Sequence, residues 1–262
     1  MSPLKGQVAL VTGGSRSVGR GIALGLGEAG ATVYITGRSV SGKLAAEVDA
    51  LGGRGVAVPC DHEDDDQVRA VFGRIEKEEG RLDLLVNNAW GGYRRLRNRK
   101  ANPGFKWKDP FWKQPVDLWD DMHTVGVRSN YVASVFAARM MQSQGSGLIV
   151  SISFYAGRRY YDNVPYGVSK AATDRLARDM AVELEPHRVA SVSLYPGHVI
   201  DTKKAPKPKR ESAQFVGRAV AALAADPKVM ERTGQVLVVA ELAKEYGFTD
   251  TDGTQPEPYD KL

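Results

Sequence analysis

Seven short runs rich in β-branched and aliphatic residues punctuate the chain, at positions 8–12, 32–36, 56–60, 82–86, 148–152, 189–194 and 235–239. Between them lie longer amphipathic stretches with helical spacing, among them 20–29, 43–51, 65–79 and 118–141. Strands separated by segments of that length are joined by crossover helices, which return the chain to the same direction along one sheet. The pattern predicts an α/β fold, a doubly wound parallel sheet of seven strands flanked by helices. Two stretches break the rhythm, 90–115 and 198–210. Both follow strands and so belong at the carboxyl ends of the sheet, where open α/β sheets bind ligands. The polar segment 249–262, with two prolines, reads as a surface extension.

At 262 residues and 42% hydrophobic content, the chain can bury one sizeable core and is short for two, so a single domain over 1–262 is expected. No run approaches the roughly 18 apolar residues of a membrane span, and the first apolar run is too short for a signal sequence. The single cysteine, Cys60, cannot form an internal disulfide. The expectation is a cytoplasmic protein with no membrane partner. A net charge of +5 is modest for this length and does not by itself imply nucleic acid.

The first strand runs into Thr12-Gly13-Gly14-Ser15-Arg16-Ser17-Val18-Gly19 and then a helix. Glycines there let the backbone approach a pyrophosphate, and the helix end offers free amides and positive potential. A tight strand-to-helix connection would use the same residues, but the position after the first strand of a βαβ unit favours a nucleotide. An NAD-preferring site carries an acid near the end of the second strand; here the sequence is Thr36-Gly37-Arg38. Arg38, with Arg16 as a second cation, suits a 2′-phosphate, so NADP(H) is expected over NAD(H). Asp61 suits an adenine-edge contact. The acids at 61 and 63–66 match no metal-binding spacing and are explained by helix capping, so no metal is expected.

Tyr166-Gly167-Val168-Ser169-Lys170 opens the helix after the fifth strand, and a spacing of four puts Tyr166 and Lys170 on one face. An ammonium about 4 Å from a phenol, at an effective dielectric of about 20, contributes about 4 kcal/mol and lowers the phenol's pKa by up to about three units. Tyr166 then donates a proton to a carbonyl oxygen as hydride arrives, and removes it in reverse. Ser153, thirteen residues earlier, is expected to hold the same oxygen.

Together, residues 12–19, Asn87-Asn88-Ala89, Ser153, the YxxxK at 166–170 and Pro196-Gly197 resemble the short-chain dehydrogenase/reductase family, over nearly the whole chain. Local sequences such as Asn163-Val164-Pro165-Tyr166-Gly167 are most similar to its member 1 branch. The resemblance implies a Rossmann fold and hydride transfer between a nicotinamide cofactor and a carbonyl or alcohol; in that branch, NADP-dependent reduction of steroid and other carbonyls. It implies that Lys170 also holds the nicotinamide ribose, and that Gly13, Ser15, Arg16, Ser17, Val18, Gly19, Arg38, Asp61, Asn88, Ala89, Tyr166, Pro196, Gly197, Val199 and Thr202 line the cofactor site. It also implies a homodimer or homotetramer. Three departures stand out. Ser17 replaces the motif's middle glycine. Gly126 stands where most members keep a proton-relay asparagine, with Asn130 one turn further on. Phe154 stands where a second serine is common.

Residues 90–115 hold eight Lys or Arg against one acid, interleaved with aromatics, and 203–210 hold five cations. Such loops over a pocket suit an anionic or carrier-linked small-molecule substrate, or are a solvated lid. Aromatics among cations also resemble a single-strand platform, but no RNA-binding motif accompanies them, so no nucleic-acid partner is expected. A non-catalytic NADP-binding sensor is the alternative to an enzyme, and the complete Ser153, Tyr166 and Lys170 set argues against it.

Overall fold

The computed structural model describes residues 2–200 and 210–259. Seven parallel strands form one sheet in the order β3-β2-β1-β4-β5-β6-β9. They are β1 (Val8–Val11), β2 (Thr32–Gly37), β3 (Arg54–Pro59), β4 (Leu84–Asn87), β5 (Gly147–Ile152), β6 (Val189–Tyr195) and β9 (Val236–Val238). Strands β1, β4 and β6 are buried throughout, which is why they are mainly apolar, Asn87, Ser191 and Ser193 being buried polar residues within them. β3, at the sheet edge, is half-buried and ends in exposed Arg54 and Pro59.

The crossovers are α1 (Ser17–Glu28), α2 (Gly42–Ala50), α3 (Asp65–Glu79), α6 (Ser129–Gln144), α7 (Val164–Leu184) and α8 (Ala213–Ala225), with short helices α4 (Arg94–Arg97) and α5 (Leu118–Met122) before α6 and α9 (Val239–Tyr246) at the end. The chain winds outward from β1 through β2 to β3, then crosses back to β4 and winds the other way. The switch point between β1 and β4 opens a cleft at the carboxyl ends of the strands. The acids before α3 act as caps and ion pairs: Asp64 accepts from the amides of Asp66 and Gln67, and Asp65 pairs with Arg128 at 2.6 Å.

Three features depart from the expected pattern. The stretch expected as one helix from 118 to 141 is broken: Val125 and Gly126 leave helical geometry between α5 and α6. The amide of Gly91 takes the freed carbonyl of Val125 at 2.7 Å, so the inserted loop caps the break. A second, two-stranded sheet pairs β7 (His198–Ile200) with β8 (Arg210–Ser212). Finally, the 249–262 segment is more than a surface extension. Asp250 is buried and accepts from the amide of Ser212, Pro256 and Pro258 are buried, and Tyr259 packs on Phe154, Tyr155 and His198. Among the described residues, no helix is long and apolar enough to cross a membrane.

Candidate active site

A groove of about 440 Å³ runs along the carboxyl ends of the strands, from the glycine turn after β1 to Tyr166 on α7. Gly13, Ser15, Arg16, Ser17, Val18, Gly19, Arg38, Asp61, Asn88, Ala89, Ser153, Tyr166, Lys170, Pro196, Gly197 and Val199 all line it. Thr202 and Lys203–Lys209 lie outside the described residues.

The glycine turn is shaped by Asn88. Its side-chain amide donates to the carbonyls of Thr12 and Gly13 at 2.9 and 3.1 Å, while the amides of Asn88 and Ala89 donate to the Thr12 hydroxyl. A Cβ on Gly19 would lie 2.3 Å from that side-chain amide, and one on Gly13 would lie 2.7 Å from Ala89 Cα. The glycines are therefore required by close packing across the switch point. Ser17 adopts a left-handed φ of 47°, the conformation a glycine takes without cost. Helix α1 starts with no capping side chain and no acid in its first turn, leaving its end electropositive beside Arg16.

Arg38, exposed at the end of β2, faces Asp61 across 3.9 Å. Beside them His62, which sequence reasoning passed over, is buried in the groove wall. Its Nε2 lies 2.9 Å from the Thr36 hydroxyl, and burial pushes its pKa down to about 4. His62 Nδ1 and, further along, Asn130 Oδ1 are buried and unpartnered within the groove. These polar atoms, the phosphate-shaped turn and Arg38 fit a dinucleotide laid along the cleft.

At the other end, Asn163 caps α7 by accepting the Tyr166 amide at 3.1 Å, and Pro165 sits in the first turn. Tyr166 and Lys170 are both buried on one face of this helix. Lys170 Nζ donates to the carbonyl of Ile152 at 3.1 Å and lies 4.4 Å over the Trp90 ring. Burial pulls its pKa down to about 8. The expected lowering of the Tyr166 pKa by Lys170 is reversed in this structure. Burial, reinforced by the phenols of Tyr93, Tyr161 and Tyr259, pushes Tyr166 well above the usual tyrosine value, and Lys170 Nζ is 5.9 Å from its ring centre. A phenol so placed holds its proton tightly.

Around Tyr166 stand Trp90, Tyr93, Trp107, Phe154 and Tyr161, with ring centres 5.4–6.5 Å away. Three of these come from the inserted loop, whose Phe111 and Trp112 are instead exposed, while several of its cations pair with acids. Arg94 meets Glu63, Arg95 meets Asp117 and Asp121, and Lys108 meets Asp162. The Trp90 ring also explains Gly126. A Cβ there would come within 2.9 Å of the indole, so Trp90 fills the space of a side chain at that position. The break at Gly126 leads into α6, which brings Asn130 to the groove.

Ser153 is buried, and its hydroxyl donates to the carbonyl of Lys170 at 3.2 Å. Its neighbour Phe154 turns toward Tyr166 instead. The residue expected to hold a substrate oxygen thus lines the groove beside Tyr166, with its hydroxyl donating to α7.

Known proteins share this architecture. A family model described as short chain dehydrogenase matches residues 7–212. The chain is 43% identical to dehydrogenase/reductase SDR family member 1 of Mus musculus, across 100% of this chain and 88% of that protein. It is 29% identical to 2-dehydro-3-deoxy-D-gluconate 5-dehydrogenase of Escherichia coli, across 94% and 93%. Among solved structures, a metagenomic short-chain oxidoreductase in complex with NADP aligns with a TM-score of 0.72 at 28% identity, covering 90% of this chain and 97% of that one. A putative short-chain alcohol dehydrogenase from Sinorhizobium meliloti gives 0.76 at 26% identity, covering 90% and 95%. With the glycine turn, the Tyr166 and Lys170 pair and a seven-stranded parallel sheet in one molecule, the chain belongs to the short chain dehydrogenase/reductase family of oxidoreductases, in the member 1 branch.

Proposed function

We propose that this chain is an NADP(H)-dependent oxidoreductase acting on a carbonyl or alcohol, with Tyr166 as the proton-transfer group. The observation that carries this reading is the burial of Tyr166 and Lys170 together at the end of a groove that begins at the glycine turn. The residues from Gly13 to Gly19 would hold the pyrophosphate, and Asp61 with His62 the adenine end. Arg38 and Arg16 would hold the 2′-phosphate. Asn88 keeps the turn in shape. Bound NADPH supplies the hydride. Tyr166, kept protonated by its surroundings, gives its proton to the carbonyl oxygen as charge develops there, and burial in the aromatic cage excludes competing water. Lys170 lies one turn behind, where its charge stabilises the phenolate that remains. The NADP-bound metagenomic relative supports the cofactor, and Arg38 in place of an acid supports NADP over NAD.

The pairing of the Arg94, Arg95 and Lys108 charges with acids favours an apolar, ring-bearing substrate over one steered by charge. The test compares NADPH and NADH binding to wild type and Arg38→Ala by fluorescence, and NADPH oxidation across a panel of ketones and aldehydes with Tyr166→Phe as control. Wild type should prefer NADPH, Arg38→Ala should lose about 1.5–3 kcal/mol of that preference, and Tyr166→Phe should not turn over. Tight NADPH binding with no turnover of any carbonyl would favour a cofactor-sensing protein instead.

A further inference from the structure

We propose that Trp90 is a positioning residue, its indole face holding Lys170 charged behind Tyr166 from the space that a side chain at position 126 would fill; the role rests on Tyr166 being the proton donor. A phenol that gives up its proton leaves a phenolate, and a neighbouring ammonium stabilises that charge only while it stays protonated. Lys170 is buried, and burial favours its neutral form. The described residues give its Nζ one hydrogen-bond acceptor, the Ile152 carbonyl at 3.1 Å. An ammonium so desolvated needs further electron density close by. Trp90 supplies it. Lys170 Nζ lies 4.4 Å from the indole's ring centre, against 5.9 Å from that of Tyr166. Among aromatic faces the indole attracts a cation most strongly, and the attraction grows as water is excluded.

Two glycines make room for the ring. A Cβ on Gly126 would lie 2.9 Å from Cε3 and Cζ3 of the indole, and one on Gly92 would lie 2.6 Å from Cζ2 on the opposite edge. The Gly91 amide, donating to the Val125 carbonyl at 2.7 Å, fixes the turn that carries the ring. The indole stands at 68° to the Tyr166 ring with centres 5.7 Å apart, so one side chain touches both members of the pair. The other titratable groups facing this pair are Asp174, one turn beyond Lys170 on α7, and the phenols of Tyr93, Tyr161 and Tyr259. Asp174 attracts the ammonium but also accepts the Tyr195 hydroxyl, and the three phenols act on Tyr166. β5 offers Lys170 a backbone carbonyl and no titratable side chain.

The test titrates Lys170 directly. In protein carrying lysine labelled with carbon-13 at Cε, its signal is identified by its loss in Lys170→Arg and followed with pH by NMR, with and without NADP+. Trp90→Leu should lower the Lys170 pKa by about one unit, and Trp90→Phe, which keeps a ring face, by less than about half of that. Wild-type protein grown on 5-fluorotryptophan, whose ring face is poorer in electrons and whose shape is nearly unchanged, should show a fall of about 0.3 unit. In the NADPH-dependent reduction of 1-tetralone, the kcat of Trp90→Leu relative to wild type should drop about fivefold as pH rises from about 6 to about 8, because Lys170 loses its charge first in the variant. A Lys170 pKa that is unchanged or raised in Trp90→Leu, or unchanged with fluorotryptophan, overturns the proposal, as does a kcat ratio that stays flat with pH. If Trp90→Leu does not fold, the fluorotryptophan titration decides alone. If wild type reduces no carbonyl, the Tyr166 reading fails by itself, and the titration still decides whether Trp90 holds the charge of Lys170.

Discussion

Glu211 ties β8 to the Pro196–Gly197 turn, and its removal as a charge should change how stability depends on pH. Its Oε2 accepts the Gly197 amide at 2.8 Å, while Oε1 is buried without a partner. The residue is 2% exposed. Burial is the main cause pushing its pKa from 4.5 up to about 7, against the Gly197 hydrogen bond and with help from the charge of Asp250. The folded state therefore binds this proton more tightly than the unfolded chain does. That contribution to stability is fully present below pH 4.5 and is lost as pH rises through 7. The full span is about 2.5 units, or about 3 kcal/mol, of which about 2 kcal/mol falls between about pH 5.5 and pH 8. Glu211→Gln keeps an acceptor for Gly197 and has no charge to bury. Denaturant midpoints of both proteins across that range should diverge, the variant gaining about 2 kcal/mol on wild type toward alkaline pH. On a thermal scale this is about 4–8 °C. Parallel curves would show that Glu211 ionises freely and would refute the buried-carboxylate argument.

Two further substitutions test the local geometry. Ser17→Gly relieves a left-handed backbone worth about 1–2 kcal/mol, offset by the about 0.5–1 kcal/mol that glycine adds to the freedom of the unfolded chain; calorimetry should show a midpoint about 2 °C higher, and a lower one would mean the Ser17 side chain is needed. Ser153→Ala removes a hydrogen bond to the Lys170 carbonyl worth about 1 kcal/mol, so the thermal midpoint should fall slightly while kcat/KM for ketone reduction drops less than about fivefold; a loss of about a hundredfold would place that hydroxyl on the substrate oxygen after all.

The sheet was legible because its signals are local. The runs beginning at 8, 32, 148 and 189 became strands within a residue or two of their expected ends, since strands buried on both faces are mainly apolar. The glycine turn and YxxxK were legible for the same reason: each places its chemistry within one turn of chain. The break at Gly126 was not. A glycine within a helical pattern costs only about 1 kcal/mol, and what ends the helix is Trp90 and the Gly91 amide, about 35 residues away in sequence. The aromatic cage was hidden likewise, because residues 90–107, 154–161 and 259 meet Tyr166 and its neighbours only in three dimensions. Tyr259 likewise packs on Phe154 beside two buried prolines, in a segment that composition alone marks as surface.

Ser153 shows how much depends on register at the end of a strand. Successive side chains there point to opposite sides, so a one-residue ambiguity decides whether a group faces the substrate or the core. Counting back thirteen residues from Tyr166 reaches a serine that lines the same groove as Tyr166, with its hydroxyl donating to the Lys170 carbonyl, while its neighbour Phe154 meets Tyr166 by its ring. The side chain absent from position 126 is replaced from the inserted loop, by Trp90 lying over Gly126 and Lys170. A departure that looks like a simple loss in sequence is in this fold the exchange of a side chain on one segment for an indole on another. Trp90 and position 126 should therefore be altered together, because any side chain added at 126 comes within 2.9 Å of the indole that now fills its place.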